Sequence, residues 1–436
     1  MRNYLSRISP LKLLLIGYAS YILLGWIGLS LPFAQAGDGV SAIDNLFTAT
    51  SAVSTTGLAT VGTPDSYSFF GEMFILVMIQ LGGVGYMTTG SFILLMQRQT
   101  LPSTNEEIAK VAFSLPEGFS VKELVRNVIF FTAAIEIAGA IALYSVFQSQ
   151  GVENAAWQAI FHSISAFCTA GFSLFPNGLE SFQSDFWVNA IVATLSLCGA
   201  IGFLVFSDVA RSFVKPETQR TLTTRIILRA TFISVAAGWA LLFLTEPSYQ
   251  SLPTEQRLLS SGFQAMTALT TVGFNTSPIG ELALGPTFLM LLLMIMGASP
   301  SGTGGGLKST SVSAAIATTI STLKGRDKVT FWGCEVPAYR LSLAFASLVF
   351  YVGIFFTGGF LLLLLQDTNK FEDVVFEAAS ALGTVGLSRG LTGELTPLGK
   401  IVVIALMFIG RVGPITFGLA LASGWDGFRK RDDLAV

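Results

Sequence analysis

The sequence predicts an all-α integral membrane protein of four helix–loop–helix units, eight transmembrane helices in all, in a pseudo-fourfold arrangement around one axis. Two observations carry that expectation. One signature recurs four times without a gap, at 47–60 (FTATSAVSTTGLAT), 161–174 (FHSISAFCTAGFSL), 263–276 (FQAMTALTTVGFNT) and 376–389 (FEAASALGTVGLSR). Apolar runs of about 20 residues, the length that crosses a bilayer, flank every copy.

In chain order, the first unit pairs a helix over 11–32 with one over 71–97, and the second pairs 124–147 with 186–209. The third pairs 226–245 with a long segment over 286–321, and the fourth pairs 340–365 with 398–423. The units divide near 1–100, 101–212, 213–325 and 326–436. Composition agrees: 52% of residues are hydrophobic and only 12% charged, against about 25% charged in soluble domains. Cys168, Cys198 and Cys334 are too scattered for a disulfide framework or a metal site. The first apolar segment fits the repeat as a retained helix, not a cleaved leader.

Charge orients the chain. The segments joining the helices across the signatures hold only Arg257, Lys370, Arg389 and Lys400 as bases, and Lys308 and Arg411 fall within apolar segments. The other 19 of the 25 basic residues lie at the amino terminus, in the connections near 98–126, 211–229 and 324–340, and at Arg429, Lys430 and Arg431. The positive-inside rule makes those regions, and both termini, cytoplasmic. The signature loops therefore enter from outside. Fifteen acidic residues, from Asp38 to Glu394, share the outer segments with the four bases, a balance that attracts cations.

Each signature begins as a short helix of small and apolar residues and ends in Thr-x-Gly before Leu58, Phe172, Phe274 or Leu387. Glycine there permits backbone angles that let successive carbonyls face a shared centre. A ring of such carbonyls is how a pore replaces the water shell of a potassium ion. The candidate filter residues are Thr55, Thr56 and Gly57; Thr169, Ala170 and Gly171; Thr271, Val272 and Gly273; and Thr384, Val385 and Gly386, with K+ held by the carbonyls of Thr55, Thr169, Thr271 and Thr384. The plainer reading, helix caps in a membrane bundle, would suffice for one copy. Four ungapped copies between apolar segments favour a filter.

The second helix of each unit carries glycines at a similar distance beyond the filter: Gly82-Gly83-Val84-Gly85, Gly199-Ala200-Ile201-Gly202, Gly297-Ala298-Ser299 and Gly410-Arg411-Val412-Gly413-Pro414. These are expected breaks, although close helix packing is the commoner role of membrane glycines. In the third unit the break widens to GASPSGTGGGLKST. Irregular backbone at membrane depth is tolerated only where protein buries it or water lines it. In the fourth, an arginine in an apolar helix marks a cavity or partner. The candidate gate below the filter is Gly297, Ser299, Gly302, Gly304, Gly305, Gly306, Lys308 and Arg411.

These features together resemble the Trk/Ktr/HKT superfamily of potassium-translocating subunits over nearly the whole chain. The chain opens directly on its first unit, like KtrB-type membrane subunits. The resemblance implies potassium uptake through a pseudo-fourfold pore in the bacterial inner membrane, with the 297–310 stretch as an intramembrane gating loop and Arg411 as the pore arginine. It also implies a homodimer with one pore per protomer, a cytoplasmic ring of RCK-type nucleotide-binding subunits, and stimulation by Na+. Neither an organic cofactor nor nucleic acid is implied. Gly57, where sodium-favouring relatives carry serine, argues for potassium. Cys168-Thr169-Ala170-Gly171 departs furthest from threonine-valine-glycine.

Three rival readings compete. GTGGGLKS at 302–309 nearly spells a phosphate-binding loop, but Leu307 occupies the position that needs glycine. Ser301 with the single His162 suggests an intramembrane serine protease, yet His162 stands in the column of Thr48, Gln264 and Glu377 and reads as a substituted repeat position. A sodium- or proton-coupled carrier also uses broken helices, and Glu136, inside an apolar helix, is its candidate proton carrier. Pairing with a neighbouring polar group is the simpler account of Glu136.

Overall fold

A computed structural model describes residues 10–37, 39–97, 121–214, 220–300, 302–331, 334–366, 370–413 and 417–418. The basic stretches at 1–9 and 98–120, Asp38, Ser301, Asp367, Pro414 and the terminal Arg429, Lys430 and Arg431 lie outside them.

The described chain is helical and repeats one sequence of elements: a long helix, a shorter buried helix carrying the signature, and a second flanking helix that is interrupted in the second and third stretches. In the first stretch these are α1 (Pro10–Leu29), α2 (Ala42–Val53) and α3 (Phe69–Gln97). The second comprises α4 (Val121–Ser149), α5 (Ala155–Phe167), α6 (Phe186–Ile201) and α7 (Phe203–Val214). The third comprises α8 (Leu222–Thr245), α9 (Thr254–Thr270), α10 (Leu284–Met296) and α11 (Ser309–Leu323). The fourth comprises α12 (Ala338–Leu365), α13 (Phe371–Gly383) and α14 (Pro397–Val412). Between α11 and α12 a small antiparallel pairing of β1 (Thr330–Phe331) with β2 (Cys334–Glu335) sets Thr330 opposite Glu335. The sequence reading did not anticipate these strands.

Of the four expected glycine breaks, the one in the first stretch is not a break, whereas helices end at Gly202, Gly297 and Gly413. α3 runs straight through Gly82-Gly83-Val84-Gly85, because a glycine weakens a helix without ending it when packing supports both sides. In the second stretch the break falls where the sequence placed one, and the segment over 186–209 turns there by 91° between α6 and α7. Gly202 makes that corner at φ 83°, ψ 159°, open to glycine and closed to residues with a Cβ. In the third stretch the helix ends at Gly297, φ 47°, and restarts at Ser309. Three described helices, Val125–Ser149, Leu222–Thr245 and Arg340–Leu365, are each long and apolar enough to cross a membrane, four if the bent α6–α7 pair is one span.

Packing places the repeats in cyclic order. The second helix of each stretch lies against the short helix of the next: α3 on α5, α6 on α9, α10 on α13, and α14 back on α2. Large apolar side chains lie on the exterior as well as in the core, and hydroxyl residues are buried in the interior. Leu24, Phe130, Ile141, Phe232, Phe288, Val349 and Phe356 face outward, while Thr50, Ser51, Ser165, Thr267 and Ser380 are fully buried. An apolar exterior of this extent suits lipid.

Polar clasps close the seams at the end where the short helices begin. Trp157 donates to Glu72 at 2.6 Å, and Asn275 to Glu180 at 2.7 Å. Arg389, paired with Asp373 at 2.7 Å, donates to Thr287 at 2.8 Å and to the carbonyls of Ile279 and Leu282. Lys400 pairs with Asp44. Several acids expected to form an open negative surface are thus committed to structure.

Candidate ion-conducting site

All four signatures end in the same backbone geometry. Thr55, Thr169, Thr271 and Thr384 have positive φ, from 49° to 59°, and so do Gly57, Gly171, Gly273 and Gly386, from 67° to 93°. The residue between them, Thr56, Ala170, Val272 or Val385, is not in that region. Left-handed threonine costs on the order of 1–3 kcal/mol and persists only where the surroundings hold it.

A hydroxyl column holds it. Ser51, Ser165, Thr267 and Ser380 each lie four residues after the signature Phe, and their carbonyls accept from Thr56 N, Ala170 N, Val272 N and Val385 N at 2.8, 2.8, 3.2 and 2.8 Å. Their side chains reach further along the same loops. Ser51 Oγ and Ser380 Oγ accept from Gly57 N and Gly386 N at 3.0 and 3.1 Å, while Ser165 Oγ and Thr267 Oγ1 donate to Phe172 O and Phe274 O at 2.8 and 2.7 Å. With amides tied back to the short helix and φ alternating in sign, the carbonyls turn the other way. Among the described residues no hydrogen bond reaches the carbonyls of Thr55, Thr169, Thr271 or Thr384. The sequence reading missed this column, although a hydroxyl at the fifth position of every copy was the signal.

The four glycines meet in a closed ring. A Cβ on Gly57 would strike the carbonyl of Ala170, one on Gly171 that of Val272, one on Gly273 that of Val385, and one on Gly386 that of Thr56. The order follows the chain and returns to its start. The short helices end at this ring, so the negative ends of their dipoles point to it.

Directly behind the threonines lies the 297–308 segment. Thr303 Oγ1 donates to Phe167 O at 3.1 Å and lies 3.1 Å from Thr169 Oγ1. A Cβ on Gly304 would meet the Thr271 hydroxyl, and one on Gly305 the Thr384 hydroxyl. Ser299 N and Thr303 N donate to Ala200 O and Gly199 O at 3.2 and 2.9 Å, and Gly302 leaves no room for a Cβ against Ala200 O. Gly306, φ 69°, lies beside Gly383. Lys308 folds back on its own loop, donating to Gly304 O at 2.8 Å and Gly305 O at 3.4 Å.

Arg411 straps this segment to the first stretch. Its guanidinium donates to Thr303 O through Nη1, and to Gly82 O and, at 3.5 Å, Gly83 O through Nη2. The glycines of the uninterrupted helix therefore have two uses. A Cβ on Gly82 would collide with Val53 O, just as Gly199 and Gly410 abut Phe167 O and Leu382 O, and the carbonyls of Gly82 and Gly83 receive Arg411.

Of the rival sites, His162 is buried in α5 with Nε2 2.9 Å from Ser173 Oγ, stacked on Phe175 and Phe274. Ser301, its partner in the protease reading, lies outside the described residues. Glu136 meets the pairing account: Gln80 Nε2 donates to it at 3.0 Å, and Cys168 Sγ lies 3.7 Å from its other oxygen. No cluster of metal-binding side chains occurs among the described residues.

A helical membrane chain whose repeats close on four backbone loops is the architecture of a cation transporter. The chain belongs to the TrkH family, described as cation transport proteins, which matches residues 22–424. Within the Trk/Ktr superfamily it is of the KtrB type. It is 34% identical over 421 residues to the Ktr system potassium uptake protein B of Bacillus subtilis (strain 168), covering 95% of this chain and 94% of that one. The protein of the same name from Vibrio alginolyticus is 34% identical over 418 residues, with 94% and 91% covered. The potassium/sodium uptake protein NtpJ of Enterococcus hirae is 31% identical, with 95% and 93% covered. The crystal structure of the potassium transporter TrkH from Vibrio parahaemolyticus shares the fold, with a TM-score of 0.75 at 20% identity over 94% of this chain and 84% of that one. The family is one of membrane transporters, not enzymes, which removes the protease reading.

Proposed function

We propose that this chain takes up potassium through a filter formed by Thr55-Thr56-Gly57, Thr169-Ala170-Gly171, Thr271-Val272-Gly273 and Thr384-Val385-Gly386. The observation that carries the reading is the closed ring of four glycines, each preceded by a left-handed threonine. Carbonyls of the four threonines replace the hydration shell of K+, and the short-helix dipoles favour the cation. The potassium uptake proteins among the relatives agree with that choice of ion, and the name of a third joins sodium to potassium; stimulation by Na+ belongs to the same proposal.

In this proposal each helix–loop–helix unit, divided near residues 100, 212 and 325, contributes two of eight crossings, with both termini cytoplasmic in a bacterial inner membrane. The 297–310 stretch, pinned by Lys308 and strapped by Arg411, is the gate. It blocks the pathway where Thr303, Gly304 and Gly305 meet the filter threonines. Two chains pair as a homodimer, and a cytoplasmic RCK-type nucleotide-binding ring moves the gate.

The test is rubidium and sodium uptake into a potassium-uptake-deficient bacterium, with and without a ring partner, beside Gly273→Ser and Arg411→Ala. Rubidium uptake that Gly273→Ser weakens supports the filter, and partner-independent flux in Arg411→Ala supports the gate. Sodium-only uptake, or indifference to Gly273→Ser, overturns the filter.

A further inference from the structure

We propose that a pocket at the start of α8 holds the phosphate headgroup of an anionic phospholipid. The pocket has a volume of about 390 Å³ and is lined by Arg220, Arg225, Leu228 and Arg229. Arg225 and Arg229 are one turn apart and share a helix face. Arg220 is fixed from the other side, where its Nε donates to Ser212 Oγ at 3.2 Å and its guanidinium lies 5.8 Å from the Phe213 ring at the end of α7. Arg225 Nε donates to Arg220 O at 3.1 Å, which ties the two arginines together. The Nη groups of Arg220 and Arg225 make no hydrogen bond among the described residues. Asp208, the acid at this corner, accepts from both the amide and the hydroxyl of Thr221 at 2.9 Å.

The chemistry is that of an amphiphile, not of a free anion. The arginine face of α8 continues at the next turn into Phe232 and Ile233, exposed by 74% and 62%, while Phe213 and Val214 on α7 are exposed by 74% and 80%. Charge comes first and apolar surface follows along one helix. α7 leaves α6 at 91°, the direction of a helix lying along a membrane surface. The positive-inside rule explains arginines at a helix end. It does not explain their convergence on one pocket with an apolar track leading from it. Basic pockets between membrane helices select anionic headgroups.

The test uses the full chain purified in detergent and in phosphatidylcholine vesicles with or without phosphatidylglycerol. Retained lipid is read by native mass spectrometry and stability by thermal melting. Phosphatidylglycerol is expected to be retained over phosphatidylcholine and to raise the melting temperature, with retention falling about fivefold for each arginine changed to glutamine at 220, 225 or 229. Lysine at the same positions, which keeps the charge, retains part of the preference and shows that loss in the glutamine forms is not misfolding. Retention unchanged by Arg225→Gln overturns the site. So does protection by inorganic phosphate alone without preference for phosphatidylglycerol, which would mark a free-anion pocket. Because the readouts are binding and melting, failure here leaves the transport reading untouched.

Discussion

Thr169 Oγ1 in the second signature and Thr303 Oγ1 in the third stretch's irregular segment lie 3.1 Å apart, although 134 residues separate them in the chain. The oxygens belong to the proposed filter and the proposed gate, so the two share a buried contact with no side chain between them. Thr303→Val keeps shape but removes the hydroxyl, leaving Phe167 O without its donor, at a cost of about 1–3 kcal/mol. Partner-independent rubidium uptake should rise several-fold. Uptake that stays fully dependent on the partner would count against the segment as a gate.

Gly386→Ala should abolish uptake and lower the yield of folded protein. It imposes positive φ on a residue with a Cβ and drives that Cβ into the Thr56 carbonyl. The conformational part alone is about 1–2 kcal/mol. Gly353→Ala in α12, where nothing lies within 4 Å of the new Cβ, is the matched control and should transport normally. Equal flux from both variants would show that the glycine ring is not tightly closed.

Glu136 sits behind the second signature, bound to Gln80 and beside Cys168, which immediately precedes Thr169. We expect Glu136→Gln to transport as the parent does, because an amide keeps the polar cluster. Glu136→Ala should lower the rubidium-to-sodium uptake ratio by letting the least regular loop shift. A proton-coupled carrier would show the opposite order, with Glu136→Gln inactive, and pH-gradient dependence of flux separates the two.

Asp44, at the start of α2, supplies a pH test. Burial pushes its carboxyl up, but bonds from Lys400, Ser41 and Thr60, with the charge of Lys400, outweigh that and hold it below the ordinary carboxylate value. A depressed folded value contributes stability above the unfolded value of about 3.9, and that contribution is lost as pH falls through the lower folded value. Thermal melting should therefore keep the Lys400 clasp's contribution at neutral pH and lose it only in strong acid. Asp44→Asn should melt lower at neutral pH and lack that step.

Repetition made much of this legible in the sequence. A Phe ten residues before a Gly, four times over, located α2, α5, α9, α13 and the loops after them, because a column shared by four copies survives any local ambiguity. The break at Gly202 was legible but its 91° turn was not, since hydropathy continues across it and only backbone angles reveal the direction. Nor were the partners of Arg411, because Gly82 stands 329 residues away and offers a carbonyl, which has no sequence signature. The hydroxyl of Ser51, Ser165, Thr267 and Ser380 was visible but lacked meaning until the loop geometry showed what it holds.

The cyclic order of packing has a consequence for biosynthesis. Because α14 lies against α2, the first short helix lacks its final neighbour until the last stretch has left the ribosome. The hydroxyl-rich α2 and its loop must stay sheltered until the fourth stretch arrives. The closing step is therefore the last to form, and joining the fourth stretch ahead of the first by circular permutation would move that vulnerable seam elsewhere without altering the finished ring.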